Sequence, residues 1–513
     1  MIWTIIACVA LLHSQEKPTE TVQLTLNDCI LKALEDNLDI AVLSYDPEIS
    51  ELSVNQAREV YWPQLSFRYD NYNYNSLSNW AVEGSNYTTK ELYYNISFNQ
   101  QVFSGGEIQF SLYSRSSDTT RALTIINPSY TGQFRLNFTQ PILKGFGSMN
   151  KNNVDIKKAR NQLDISVTGL KSSLIQKVLE VEEAYWNLVY SIESLKVYEL
   201  TLNQNLEKLR AVKEAERIGV KSSIEVLRTE KEVANYENRV LSARNSVIMY
   251  EDRLKGILNF PVEGLEFAKS LMPVDKPTLE KVDLSFDEAL KIAYAESPEM
   301  EKFQKELENT RLDVRFYKNQ LLPQLDFDAS LWYFGQSGDI LIYKNNDPYS
   351  GEIIGKIEGS RMDSFKDVFG FKYQNWAATL NLTIPLDTVF SRASLAKARL
   401  EEEKKLKEKE KIEKEIYFNV LEAYKELMNR EKEIESASRY RELAEKNLQA
   451  EEQRYNLGLV GNEWLFQYQG EVANARVSEV KAVIDYKIAV ARLEKELGVN
   501  LKNKNITFRQ YQF

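Results

Sequence analysis

The sequence predicts a mixed α and β membrane protein, internally duplicated, in which outer-membrane β-barrel strands continue into a long α-helical coiled-coil barrel. Three observations predict it. First, Val22 to Phe67 returns without a gap as Val282 to Phe327: Leu24-Thr25-Leu26 becomes Leu284-Ser285-Phe286, Asp28 becomes Glu288, Ala33 becomes Ala293, and Pro63-Gln64-Leu65 becomes Pro323-Gln324-Leu325. Second, both copies contain segments of period two, apolar on one face and polar on the other. Third, both contain an apolar seam of period three and four that runs on for many turns without proline. A further register at a spacing of 239 links Ala184-Tyr185 to Ala423-Tyr424, Gly219 to Gly458 and Leu254 to Leu493. The expected division is a leader at 1–14, a first repeat at 22–260, a linker at 261–281, a second repeat at 282–500 and a tail at 501–513.

Bulk properties narrow the classes. A net charge of -10 and a pI near 5.2 disfavour a nucleic-acid partner, which needs a basic footprint. Histidine occurs once and cysteine twice. His13 and Cys8 both lie in the apolar leader, so Cys29 alone remains, which leaves no disulfide framework and no Cys/His metal site. No catalytic, cofactor-binding or metal site is predicted, and an enzyme is disfavoured. Ile2 to Leu12 has the length of a signal-peptide core and is read as a secretory leader cleaved near Ser14; a lipoprotein leader ending at Cys8 is the other reading. No later stretch approaches the roughly 18 apolar residues of a membrane helix. A membrane span must therefore use strands.

Each copy opens with an amphipathic helix, Leu26 to about Ile40 in the first, with Asn27 as the expected cap. A second helix follows from about Ile49 to Tyr61. Pro63 stops it, because proline has no N–H to donate and holds its predecessor extended.

Strands come next, within about 64–143 and 324–386. Leu65, Phe67 and Tyr69 alternate with Ser66, Arg68 and Asp70; Leu92, Tyr94, Ile96 and Phe98 alternate with Tyr93, Asn95, Ser97 and Asn99; Phe134, Leu136 and Phe138 alternate with Arg135, Asn137 and Thr139. The second copy repeats this in Leu325, Phe327, Ala329 and Leu331 and in Ala378, Leu380, Leu382 and Ile384. Alternation over about ten residues, with aromatics near the strand ends, marks outer-membrane strands; a soluble sandwich with a one-sided core is the rival reading. Ser76 to Lys90 and Gly335 to Gly370 read as surface loops. Ser104-Gly105-Gly106-Glu107 is a possible extra turn near 92–113, with Ile108, Phe110 and Leu112 on the returning face, and whether it adds barrel strands stays open.

Pro141 and Pro385 mark the return to helix. The long helices run from about Met149 to Glu216 and from about Ser391 to Asn456, roughly 100 Å each at 1.5 Å per residue. Gly219 and Gly458 supply left-handed helix ends, and return helices follow over about Ser223 to Leu258 and Asn462 to Leu497. Four strands cannot close a barrel, and open edges are not tolerated in lipid. A ring of three copies with four strands each closes a twelve-stranded barrel.

These motifs together resemble the TolC-like outer-membrane efflux proteins. The resemblance rests on Leu24-Thr25-Leu26-Asn27-Asp28 with Ala33-Leu34-Glu35-Asp36-Asn37, on Tyr61-Trp62-Pro63-Gln64-Leu65, on Thr139-Gln140-Pro141-Ile142-Leu143-Lys144-Gly145-Phe146-Gly147, and on the two glycine turns. It implies a homotrimer in outer-membrane lipid of a diderm bacterium, with a helical tunnel in the periplasm. It also implies a periplasmic adaptor and an inner-membrane transporter as partners, in drug efflux or type I secretion. By the same resemblance the periplasmic tip contains Ile218, Gly219, Val220, Leu457, Gly458 and Leu459, which would dock the adaptor. The family often carries Asp six positions after this glycine and, in the second copy, another three further on. Here Glu225 fills the first-copy position, while Trp464 and Gln467 occupy the second-copy ones. The expected gate is therefore Glu225, Glu463, Trp464 and Gln467, with charge from the two glutamates and narrowing by Trp464. Two rivals remain: a structural or adhesive coiled-coil envelope protein, and an exported enzyme using the carboxylate pair Glu182 and Glu183.

Overall fold

The computed structural model describes residues 21–77, 86–261, 269–279, 281–386 and 389–506, so the expected leader with Cys8 and most of the tail lie outside the described residues. The first half contains β1 (Thr21–Leu24), α1 (Leu26–Asp36), α2 (Leu38–Arg58), β2 (Gln64–Leu77), β3 (Asn86–Gln101), β4 (Glu107–Thr119), β5 (Ile126–Pro141), α3 (Lys151–Arg217) and α4 (Ser223–Ile257). The second contains β6 (Ser270–Pro273), α5 (Phe286–Glu296), α6 (Pro298–Asn319), β7 (Gln324–Tyr343), β8 (Ile353–Ile357), α7 (Arg361–Phe369), β9 (Gln374–Thr383), α8 (Val389–Asn456), α9 (Asn462–Glu496) and α10 (Asn500–Asn503). The described residues form two compact units: those within 1–48, 165–304 and 408–513 make one, and those within 49–164 and 305–407 make the other. No described helix is long and apolar enough to cross a membrane.

In the first unit the duplication is written into the helix starts. Thr25 caps α1, accepting from the Asp28 amide at 3.1 Å while the Asp28 carboxylate takes the Thr25 amide at 3.0 Å. Ser285 and Glu288 build the same reciprocal box at α5. The cap is thus Thr25 and not Asn27, because only a residue three before a carboxylate can exchange both bonds. The break between α1 and α2 also falls earlier than expected, at Asn37, whose Oδ1 takes the Asp39 and Ile40 amides while its Nδ2 donates to Ile257 O at 2.9 Å. Pro47 consequently lies inside α2.

Two apolar cores repeat the same positions. Cys29, Ala33, Val181, Ala184, Leu188 and Leu254 are buried in one; Ala289, Ala293, Val420, Ala423, Leu427 and Leu493, at the 260 and 239 spacings, are buried in the other. The linker is not plain coil: β6 pairs in parallel with β1, Thr21 opposite Ser270 through Leu24 opposite Pro273. Cys29 is fully buried and desolvation pushes its thiol up to about 12, so it is an inert core residue.

The second unit holds a seven-stranded antiparallel sheet in the order β2-β3-β4-β5-β7-β8, with β9 on the same edge of β7 as β8. The expectation of four strands per chain is corrected here, since β2, β3, β4, β5, β7 and β9 stand side by side. The added pair is the β3–β4 hairpin, since β2 and β5 hold the places in the first copy that β7 and β9 hold in the second. It forms because the alternation of Ile108, Phe110 and Leu112 matches its neighbours, and because Gly105, at φ +91°, allows Val102 N–H to reach Gly106 O at 2.8 Å.

One apolar row, Leu65–Phe98–Phe110–Leu136–Leu331–Trp376, crosses all six strands. The neighbouring row Ser66–Ser97–Ser111–Arg135–Trp332–Asn375 is mostly polar and points to the other face. Gly335 belongs to β7, so the second loop begins later than expected, at Lys344, and it contains β8 and α7. Helix α7 lies on the apolar face over Gly132 and Gly335, which stand opposite each other on β5 and β7. A Cβ on Gly335 would sit 2.0 Å from Ser364 O, so that seat needs glycine.

Candidate functional site

Both hairpin turns of the first unit are built the same way. At the end of α3, Gly219 takes φ +78°, its N–H reaches Glu216 O at 2.9 Å and Val220 N–H reaches Ala215 O at 2.8 Å. At the end of α8, Gly458 takes φ +72°, with Gly458 N–H on Tyr455 O at 2.9 Å and Leu459 N–H on Arg454 O at 2.9 Å. This bonding satisfies the last helix carbonyls, and the left-handed residue it needs is glycine. A consequence is that Ile218, Val220, Leu457 and Leu459 stand in solvent; Val220 is 70% exposed and Leu457 74%. Four apolar side chains held outward on two tight turns form a small contact surface left uncovered by the described residues.

The gate candidates fall into two places. Glu225, in the first turn of α4, pairs with Lys221 at 3.0 Å, and the Lys221 ammonium lies 5.5 Å from the Tyr455 ring centre. The hydrogen bond to Glu225 raises the Lys221 pKa, so this corner carries a fixed ion pair and not a lone negative charge. Glu463 and Gln467 line a separate groove of about 410 Å³ between α4 and α9. There Arg228 Nη1 bonds Glu463 at 3.2 Å, and further along Arg239 bonds Asn474 Oδ1 at 3.1 Å. Gln467 donates to Glu471 at 3.1 Å. Trp464 lies outside this groove lining, half exposed. The four candidates are thus not one cluster, and each glutamate has a cationic partner.

Deeper in the hairpin, Lys208 of α3 sits 4.9 Å from the Phe466 ring centre and donates to Gln469 at 3.3 Å. Desolvation lowers its pKa to about 8. The carboxylate pair of the rival enzyme reading is engaged elsewhere: buried Glu182 binds Lys504 at 2.7 Å and Glu183 binds Arg492 at 2.8 Å.

The fold is similar to that of CusC (TM-score 0.62, 13% identity, covering 93% of this chain and 93% of that one). It is also similar to the Campylobacter jejuni CmeC outer membrane channel (0.60, 13%, 93% and 89%) and to the outer membrane protein VceC of Vibrio cholerae (0.60, 12%, 92% and 96%). No curated protein sequence matches the chain. The outer membrane efflux protein family, OEP, matches residues 107–259 and 289–499, more than half of the chain. The chain belongs to this family.

An outer membrane efflux protein is a transport channel of the outer membrane. In this outer membrane efflux protein the gate candidates named from sequence did not include Lys221 and Arg228, the cations that pair with Glu225 and Glu463. Arg228 stands nine positions after Gly219, as Gln467 stands nine after Gly458. Applying that offset to both copies would have found it. Lys221 and Tyr455 carry no such signal, because their pairing depends on how the two turns sit beside one another.

Proposed function

We propose that this outer membrane efflux protein is the passive exit duct of a tripartite efflux or type I secretion system. Three copies form the channel, an inner-membrane transporter delivers the substrate, and a periplasmic adaptor docks on the turns at Gly219 and Gly458. The observation that carries this reading is the sheet with one apolar and one polar face, in the same chain as two outward apolar turns. The apolar face suits lipid and the polar face suits a wet lumen. No bond is made or broken; substrate diffuses, and control lies where the hairpins part. The Lys221–Glu225 and Arg228–Glu463 pairs are the fastenings of that gate, and Trp464 narrows it. The predicted signal peptide, removed on export, accords with this route.

Deleting the gene and following retention of a fluorescent efflux dye together with the secreted-protein profile tests the reading. Loss of dye extrusion or of a secreted protein, restored by the wild-type chain but not by one carrying Val220→Asp and Leu459→Asp, is the expected result. An adhesive coiled-coil protein would leave both readouts unchanged.

A further inference from the structure

Among the described residues, β2 is paired only with β3, and β9 only with β7. These two strands are the open edges of the sheet, and five successive antiparallel pairings make them antiparallel to each other. A second copy can therefore set its β2 against β9 and continue the ladder without a parallel step, which an odd number of strands would not permit. The faces agree as well: Leu65 and Phe67 on β2, and Leu380 and Leu382 on β9, are exposed on the apolar side. An apolar edge left open in lipid would strand a row of backbone donors and acceptors.

The register adds a quantitative condition. The row that starts at Gln64, the first residue of β2, passes Asn99, Gln109, Asn137 and Ser330 and reaches Ala377, six residues before Thr383 at the end of β9. If Gln64 of the next copy sits opposite Thr383, each copy contributes a stagger of six residues over six strands. With about 3.3 Å per residue and about 4.8 Å between strands, that stagger sets a tilt of about 35°, at the low end of the range for closed membrane barrels.

We infer that β2 of one copy pairs with β9 of the next, Gln64 opposite Thr383, and that three copies close an eighteen-stranded barrel. The inference rests on the three-copy assembly proposed above. At a tilt of about 35° the ring is about 34 Å across its backbone, against about 22 Å for twelve strands at the same tilt. The β3–β4 hairpin is thus a widening insert in the wall, and the mouth passes bulkier solutes than a four-strand-per-chain barrel would.

The test uses the detergent-extracted assembly on a Cys29→Ala background, whose second-repeat counterpart is already Ala289. Ser66→Cys with Asn381→Cys should cross-link between copies on oxidation or with a short bifunctional reagent. Ser66→Cys with Ser97→Cys, whose hydroxyls lie 2.7 Å apart within one chain, checks the chemistry. A spin label on Ser111→Cys, with copies counted by native mass spectrometry, should give one distance near 29 Å for eighteen strands and near 19 Å for twelve, by the same ring geometry. Three copies with the Ser66–Asn381 cross-link and about 29 Å support the inference. Three copies without that cross-link, or with about 19 Å, overturn it and leave the exit-duct reading standing. A different copy number overturns the assembly and this inference with it.

Discussion

The hydroxyl of Tyr185 donates to Asp275 Oδ2 at 2.7 Å and accepts the Asp275 amide at 3.2 Å. The same carboxylate oxygen takes the Leu26 amide at the start of α1, at 2.6 Å. One fully buried tyrosine of α3 therefore fastens the inter-repeat linker to the first helix of the chain. Tyr185→Phe keeps the ring and removes the hydroxyl, leaving Asp275 short of a donor. A loss of about 1 to 3 kcal/mol is expected, read as a lower denaturant midpoint with an unchanged slope. Asp275→Asn, which can still accept, should lose less.

Gly169 inside α3 and Gly219 just past its end should respond in opposite directions to the same change. A Cβ at Gly219 or at Gly169 would meet nothing within 4 Å, so neither substitution clashes. Gly219 is left-handed at φ +78°, where alanine costs about 1 to 2 kcal/mol, whereas Gly169 lies in the helix interior, where alanine stabilises by about 0.5 to 1 kcal/mol. Thermal unfolding of Gly219→Ala and Gly169→Ala should move the midpoint down and up respectively.

Arg228 and Glu463 join α4 to α9 through an exposed contact, so breaking it should change stability by less than about 1 kcal/mol. Under the proposed function its effect falls on gating. Arg228→Ala or Glu463→Ala should raise the open fraction in single-channel recordings. The exchange Arg228→Glu with Glu463→Arg should return it towards wild type, and the contrast should shrink at 1 M salt as the charges are screened.

Lys208 gives a pH dependence with a defined sign. Its folded pKa is about 8, below the ordinary value of 10.5, so between those values the unfolded chain holds a proton that the folded chain has released. Stability should therefore rise with pH from about 8 towards 10.5 by this group's contribution; below about 8 the burial penalty is fully present. Melting midpoints measured across that window should show a rise in the wild type that Lys208→Met removes.

Period and punctuation made much of this fold legible. The long helices begin and end within two residues of the expected positions, because a seam of period three and four and a terminal glycine are local signals. The duplication was legible for the same reason. The strand count was not, since β4 announces itself only through Ile108, Phe110 and Leu112, and its place depends on a neighbour on each side. The β1–β6 pair was hidden because four-residue strands hundreds of positions apart carry no periodicity. At the hairpin turns the exposed apolar residues could be named in advance. The cations that neutralise Glu225 and Glu463 could not be assigned, because the pairing is set by packing and not by spacing.

The central claim is that this chain assembles a water-filled passage through a membrane, and planar-bilayer recording of the detergent-extracted assembly tests it most directly. Discrete conductance steps that grow when Arg228 and Glu463 are both replaced by alanine are the predicted result. A bilayer that stays silent with both the wild type and that variant, while the protein remains folded and inserted, would contradict it.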